Sequence, residues 1–288
     1  MAHELVKGFL MHLTHYDSVW VKRKHVEKRF DLALTRTLID DMAQAGLNTL
    51  IIDVEDAVQY ESHPELRRAY SAPMADYRRI VAHARRKGLT VIPKLNFAKG
   101  IDLHNAWMSP YDEIPDTKPY FDHALMLVDE LVKGQPIRFF HIGMDEDDRS
   151  PARYQKVILK LHRELARRRL RTVMWADIGH WWTPVRNAKT RAVLPALPRD
   201  MVMMPWTYDD RSQRRWARML TKMGFEVWGG TGPKTENMQM WAADIANAGG
   251  HGLVATLWVP LDSTHARPQR KIIRDAGRLF PSGGPRST

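Results

Sequence analysis

Two adjacent carboxylates, Asp145 and Glu146, carry the most suggestive chemistry of this chain. They follow an apolar run, residues 138–144 (RFFHIGM), that has the composition of a buried strand. Side chains alternate between the two faces of a strand, so His141 and Asp145 fall on the face opposite Phe140. Paired acids at the end of an apolar strand are costly unless a site uses them. Because parallel α/β proteins bind ligands at the carboxyl ends of their strands, we expect a functional site here.

Other predicted strands also end in polar or aromatic side chains that share one face. In the run TLIIDVE, Asp53 and Glu55 alternate with apolar residues. In the run TVIPKLN, Lys94 and Asn96 do the same. This alternation predicts that the polar set converges on one mouth. The predicted site comprises Asp53, Glu55, Asp56, Lys94, Asn96, His141, Asp145, Glu146, Asp177, Tyr208, Trp175, Trp206, Trp228 and Trp258.

Carboxylates beside indole rings suit a carbohydrate substrate. Sugars present C–H faces that stack on aromatic rings and hydroxyl groups that bond to carboxylates. Cleavage of a glycosidic bond needs an acid with a raised pKa and a second group that stabilises an oxocarbenium-like centre. A nucleic-acid site would instead place Lys and Arg at the mouth, so we do not expect nucleic acid as a partner.

Eight repeats of a strand-like run and an amphipathic stretch must position these residues. A Gly follows five of the predicted helices, as expected at a helix C-terminus. Eight alternating units within 288 residues favour an α/β fold, a single (β/α)₈ TIM barrel. An open doubly wound sheet is the alternative, but no strand is followed by GxGxxG. The strand candidates are 8–14, 49–55, 90–96, 138–145, 171–177, 201–208, 226–230 and 252–259, and the helix candidates are 35–45, 74–87, 120–133, 151–169, 186–197, 213–223, 236–248 and 269–280.

No internal boundary divides this pattern, so we predict one catalytic domain over residues 1–280 and a disordered tail over 281–288. The longest loops, about 17–34 and 97–117, follow the first and third strands and are expected to shape the site. Neither a membrane span nor a signal peptide is visible. A cytoplasmic location is therefore the default expectation, with a mature exported form as the alternative. Nothing in the sequence indicates an oligomeric state.

The chain is basic, with 44 Lys and Arg against 33 acids and a formal charge of +11. A polyanion partner is one interpretation. The excess lies in helix-like stretches such as 160–171 and 211–218, which favours solvated outer helix faces. The absence of Cys excludes disulfides, thiol catalysis and Cys-ligated zinc.

Several candidate residues also have a purely structural interpretation. Asp53 or Glu55 is equally well explained as an ion-pair partner of Lys94 inside the barrel. His141 has no HxH or HExxH spacing around it, so we interpret it as an orienting hydrogen-bond partner. We therefore predict neither a metal nor a cofactor.

The segment FFHIGMDE, residues 139–146, resembles the His-x-Gly-Gly-Asp-Glu motif of family 20 glycoside hydrolases, the β-N-acetylhexosaminidases. The resemblance covers roughly residues 8–260. Further segments that resemble this family are GLNTLIIDVED (46–56), YESHPE (60–65), VIPKLN (91–96), WAD (175–177), PWTY (205–208) and TLW (256–258).

The resemblance implies a retaining exo-hydrolase that uses substrate assistance. Glu146 would be the general acid/base, and Asp145 would orient the substrate's 2-acetamido group, which acts as the nucleophile. Trp175, Trp206 and Trp258 would wall the pocket. In a separate role, Tyr208 would hydrogen-bond the acetamido oxygen.

Three departures from the family pattern matter, and the second and third of them concern substrate recognition. Met144 replaces the second Gly of the motif, at a position that alternation turns toward the helices. The Arg that usually ends the first strand is missing from residues 12–17, HLTHYD. Lys94 stands where the family has Glu. Two alternatives therefore stay open: a glycosidase for another, acidic or sulfated sugar, and a carbohydrate-binding barrel without turnover.

Overall fold

The computed structural model describes residues 5–13, 28–100 and 106–281. These residues hold a closed barrel of eight parallel strands in which the last strand pairs with the first. The predicted (β/α)₈ barrel is confirmed. The barrel strands, in chain order, are Val6–His12 (β1), Thr49–Asp53 (β2), Thr90–Lys94 (β3), Phe139–His141 (β4), Arg171–Ala176 (β5), Val202–Thr207 (β6), Glu226–Thr231 (β7) and Gly252–Thr256 (β8).

A helix follows each strand at or near the predicted position. All five glycines predicted to end helices have positive φ, between 70° and 87°. The largest difference is the predicted helix 186–197, which ends at Val193 because Pro195 cannot continue a helix. The helices are Leu32–Gln44 (α1), Met74–Arg86 (α2), Lys118–Val132 (α3), Pro151–Arg167 (α4), Pro184–Val193 (α5), Arg214–Lys222 (α6), Thr235–Ala248 (α7) and Ala266–Leu279 (α8).

Two apolar cores follow the predicted alternation of the strands. The outer core lies between the strands and the helices and takes residues such as Leu50 and Ile52. The inner core fills the barrel with the opposite set. The predicted inward and outward faces are therefore confirmed. Buried residues of the inner core are Leu10, Ile51, Ile92, Val173, Trp175, Val202, Met204, Trp206, Trp228 and Val254.

The predicted fourth strand, residues 138–145, is shorter than expected. It ends at His141, because Gly143, Met144 and Glu146 have φ of 69°, 76° and 50°, which extended pairing does not allow. The two carboxylates therefore sit on a tight loop rather than on a strand. Met144 still packs into the outer core, as its predicted orientation requires.

The loops around the mouth are described in part. Residues 14–27, 101–105 and 282–288 lie outside the described part of the chain, so most of the predicted first loop and the predicted disordered tail are not covered. The third loop contains short 3₁₀ turns at Ala106–Met108 and Tyr111–Glu113. Among the described helices, none combines the length and apolar character needed to cross a membrane.

Candidate active site

Asp145 is held in place by Asn96, which lies just beyond the end of β3. The Asn96 amide Nδ2 donates to Asp145 Oδ1 at 2.9 Å, and its Oδ1 accepts the backbone N–H of Met144 at 3.0 Å. A Cβ at Gly143 would lie 2.1 Å from Asn96 Oδ1. Gly143 is therefore needed both for its positive φ and for this close approach.

Glu146 is positioned through its backbone by Asp177, the residue that follows β5. The Glu146 N–H donates to Asp177 Oδ2 at 2.6 Å, and the indole Nε1 of Trp206 donates to Oδ1 at 2.8 Å. Burial raises the pKa of Asp177 to about 7, and the negative charge of Asp145 adds to this effect. The buried carboxyl group of Asp177 thus joins the backbone of Glu146 to the indole ring of Trp206 by hydrogen bonds.

Arg186, at the start of α5, lies beside Glu146 and was not predicted from the sequence. Its Nη1 is 3.8 Å from Glu146 Oε1, and its Nη2 is 2.8 Å from Asp148 Oδ1. The Glu146 side chain is about one-fifth exposed, at 18%. Its carboxylate is therefore reachable by a substrate that enters from solvent.

His141 orients the motif from inside the barrel. Its Nδ1 accepts the backbone N–H of Gly143 at 3.0 Å, which places the ring proton on Nε2. Burial holds the pKa of His141 well below its ordinary value, and the positive charge of Lys94 adds to this. The imidazole is consequently neutral, and its ring lies 4.9 Å from that of Trp175.

A second group of charges fills the mouth on the side of β1, β2 and β3. Lys94 Nζ lies 2.8 Å from Asp53 Oδ1 and 3.7 Å from Glu55 Oε1. His12 Nδ1 lies 2.9 Å from Asp53 Oδ2. The ion pair anticipated between Asp53 and Lys94 is therefore present, and Lys94 is only 2% exposed.

Burial acts differently on the two acids of this group. Burial alone would raise the pKa of Asp53, but the charges of Lys94 and His12 hold it well below its ordinary range. Burial raises the pKa of Glu55 well above its ordinary value, and the neighbouring charge of Asp53 adds to the rise. The pKa values of the two acids are therefore shifted in opposite directions, and Asp53 is the acid that pairs closely with both Lys94 and His12.

Aromatic rings wall the remaining side of the mouth. Trp258 Nε1 donates to the Tyr208 hydroxyl, and the Tyr208 and Trp206 rings lie 5.2 Å apart. Trp175 lies 6.3 Å from Trp258. Burial raises the pKa of Tyr208, so its phenol keeps its proton.

Two of the predicted residues do not join this group. Trp228 lies toward the opposite end of the barrel, where its Nε1 donates to Glu226 at 2.8 Å and its ring is 5.8 Å from Phe139. Alternation gives the face of a residue but not its height in the barrel, and this explains the difference. Asp56 turns away into its own loop, where it accepts the Tyr70 hydroxyl at 2.9 Å.

Asp147, directly after the motif, anchors the loop from behind. It accepts the backbone N–H of Lys99 at 2.9 Å, lies 3.2 Å from Lys189 Nζ and pairs with Arg149. A Cβ at Gly100 would strike the carbonyl of Glu146. In the sequence, the signal for this anchor is the run of four acids at 145–148, of which the predicted site includes only the first two.

No metal site accompanies this arrangement in the described ranges, where no group of three or more His, Asp or Glu side chains is placed to hold an ion. The arrangement can instead perform proton transfer. Glu146 is a reachable carboxylate, and Asp145 is a fixed one. The neutral amide of Asn96 donates to Asp145, and the cationic Arg186 lies beside Glu146.

No protein-family model and no curated protein matches this chain. Solved structures do match its fold. A chitobiase from Flavobacterium johnsoniae has a TM-score of 0.72 at 15% identity, covering 97% of this chain and 48% of its own. The N-acetyl-β-hexosaminidase of Streptomyces plicatus has 0.69 at 14%, covering 98% and 65%. Dispersin B has 0.63 at 16%, covering 96% and 99%.

The chain therefore spans about half the length of the chitobiase and nearly all of Dispersin B. An endo-β-1,4-mannanase from Thermotoga petrophila also matches, with a TM-score of 0.63 at 10% identity over 97% of this chain. At these identities the likeness concerns the fold. The structure of this chain resembles those of family 20 hexosaminidases over nearly its whole length, and it shares its barrel with mannanases.

Proposed function

We propose that this chain is a glycoside hydrolase that removes a terminal β-linked 2-acetamido sugar with retention of configuration. The observation that carries the proposal is the independent support of the two motif acids. Asn96 fixes the side chain of Asp145, and Asp177 fixes the backbone of Glu146. Adjacent acids held by different partners suit two different tasks in one reaction.

Glu146 is the general acid in this mechanism. Its proton passes to the glycosidic oxygen as the bond from that oxygen to C1 breaks. The substrate's own acetamido oxygen attacks C1, and Asp145 accepts the acetamido N–H and stabilises the positive charge that develops. Glu146 then removes a proton from water as the water attacks C1 and the ring intermediate opens.

Substrate assistance is favoured because the alternative nucleophiles are occupied. Asp53 is buried between Lys94 and His12. Asp177 accepts hydrogen bonds at both oxygens, from Glu146 and from Trp206. An attacking carboxylate would have to lose these partners in a buried environment.

A neutral sugar fits this mouth better than an acidic one. Lys94, the residue that suggested an anionic substrate, is buried and committed to Asp53 and Glu55. Recruiting it to a sulfate or a uronic acid would leave Asp53 buried with one partner fewer. The proposed substrate is therefore a 2-acetamido sugar that carries neither a sulfate nor a carboxylate.

A panel of aryl β-glycosides that differ only at positions 2 and 6 tests this proposal. We expect turnover of 2-acetamido substrates, little turnover of their 2-hydroxyl counterparts and no gain from a charged group at position 6. A thiazoline analogue of the cyclised intermediate should inhibit competitively. Preference for 2-hydroxyl substrates without thiazoline inhibition would contradict substrate assistance, and binding of sugars without any turnover would favour a carbohydrate-binding barrel.

A further inference from the structure

Two tryptophans on the loop between β5 and α5 are unusually exposed. Trp181 is 61% exposed and Trp182 is 41% exposed. Large apolar side chains at such exposures are few among the described residues, and two adjacent ones form a small apolar patch. Exposed aromatic surface of this kind often marks a binding site.

The patch is continuous with the candidate active site. The Trp182 ring lies 6.1 Å from that of Trp206, and the Trp181 ring lies 5.8 Å from that of Trp182. Trp206 in turn donates to Asp177, which holds Glu146. A line of three indoles thus leads from the proton donor to the surface.

His180 fixes the inner end of this line. Its ring stacks on Trp182 at 4.6 Å with an angle of 13° between the planes, and its Nε2 donates to the Trp206 carbonyl at 2.6 Å. The backbone N–H of His180 donates to Asn187 Oδ1 at 3.2 Å. The neighbouring Gly179 packs closely against Gln213, the residue before α6: a Cβ at Gly179 would lie 2.1 Å from Gln213 Oε1. The loop that carries the two tryptophans is therefore held by contacts with α5, β6 and the residue before α6.

The outer end is supported as well. The guanidinium carbon of Arg211 lies 4.9 Å from the centre of the Trp181 ring. A cation at this distance from an indole is attracted to the ring and restricts its movement. Arg211 lies over Trp181 and His180 stacks on Trp182, so each ring has a contact that reduces the ordering entropy lost on binding.

We propose that Trp181 and Trp182 bind the sugar units on the leaving-group side of the cleaved bond, so that the substrate is an oligosaccharide chain. The proposal rests on the proposed function. The pocket beside Glu146 takes the terminal sugar, and the line of indoles from Trp206 to Trp181 offers the remaining chain an aromatic path to the surface. The C–H faces of successive sugars stack on the indoles, while the guanidinium of Arg211 donates to their hydroxyls.

Binding of chito-oligosaccharides to the full-length Glu146→Gln variant tests this proposal. Calorimetry is performed with the monomer, dimer and trimer of β-1,4-linked N-acetylglucosamine. We expect the affinity of Glu146→Gln to rise with each added sugar unit. In Glu146→Gln/Trp181→Ala, we expect the affinity for the trimer to be about tenfold lower than in Glu146→Gln. Glu146→Gln/Val185→Ala is the matched control, because Val185 is an 80% exposed apolar residue near the same loop.

The proposal is overturned if affinity does not depend on chain length, or if the dependence survives Trp181→Ala. It is also overturned if the wild type self-associates in sedimentation and Trp181→Ala does not, since a second copy then covers the patch. Turnover of aryl glycosides by the wild type separates this proposal from the catalytic one. Length-dependent binding without turnover leaves the tryptophan site standing and rejects hydrolysis, whereas turnover with length-independent binding rejects only the tryptophan site.

Discussion

The carboxylate of Asp177 accepts a hydrogen bond from the backbone N–H of Glu146 at 2.6 Å. Its other oxygen accepts the indole N–H of Trp206. One buried side chain therefore sets both the position of the proposed proton donor and the orientation of a pocket wall. Because the raised pKa of Asp177 lies close to neutrality, this arrangement is sensitive to pH.

Asp177 is expected to make stability depend on pH in a defined window. Its pKa is raised to about 7 in the folded protein, so the folded chain holds a proton that the unfolded chain releases above about pH 4. The stabilisation is fully present below the unfolded pKa and is lost as pH rises through the folded pKa. Asp177→Asn should reduce the fall in unfolding free energy between about pH 5 and pH 7 by up to about 3 kcal/mol.

Urea unfolding of both proteins across this range measures the difference in slope. Titrating groups distant from Asp177 contribute equally to the two proteins and cancel in the comparison. Parallel curves for wild type and Asp177→Asn would mean that the Asp177 carboxyl is ionised in the folded protein at these pH values.

Gly143→Ala should damage both stability and activity. Gly88 provides a matched control, because its φ is 81° but a Cβ there meets nothing within 4 Å. Gly88→Ala should cost about 1 to 2 kcal/mol for the left-handed backbone alone. Gly143→Ala should cost about 1 to 3 kcal/mol more, because its Cβ displaces Asn96 and with it Asp145.

Thermal unfolding and kcat separate the two effects. Only the Gly143 variant should lose turnover, since Gly88 ends α2 away from the motif. Equal stability and full turnover in both variants would show that Asn96 moves aside without consequence for Asp145.

Lys94→Met should destabilise the fold by about 3 to 5 kcal/mol, because it leaves the buried Asp53 without its cation. The double variant Asp53→Asn/Lys94→Met should recover part of this loss, since it removes both charges. A denaturant-based double-mutant cycle measures the coupling. A cost below about 1 kcal/mol for Lys94→Met would mean that His12 alone satisfies Asp53.

Asp145→Asn should slow 2-acetamido substrates by about 100-fold, because the acetamido group loses the carboxylate that orients it. Turnover of 2-hydroxyl substrates, where measurable, should fall less. The comparison is made with aryl glycosides that share one leaving group. Equal slowing of both classes would point to Asp145 acting on the sugar ring itself rather than on the acetamido group.

The barrel was predictable because its signals are local. Alternation within each strand gave the inward face, and glycines marked the helix ends. The predicted helix after β5 runs past its observed end at Val193, because the apolar period continues across Pro195 although the helix does not. The same periodic signals place most of the proposed site, since a parallel barrel brings all carboxyl ends of its strands to one mouth.

The remaining features depend on information that alternation does not contain. The height of Trp228 along the barrel follows from strand stagger, which sets the level at which each inward residue lies. The positive φ of Met144 cannot be predicted from its residue type, because methionine rarely adopts this conformation. Its side chain is buried in the outer core. His180 lies on the loop after β5 and Arg186 lies in the first turn of α5, and no period relates either residue to Glu146.

The most direct test of the account is turnover of an aryl 2-acetamido-β-glycoside by Glu146→Gln. We expect kcat to fall by about 100- to 10,000-fold while the unfolding transition stays unchanged, because the amide keeps the shape of the side chain but cannot transfer the proton. A wild type that hydrolyses the substrate and a folded Glu146→Gln variant with the same kcat would contradict the assignment of Glu146 as the general acid.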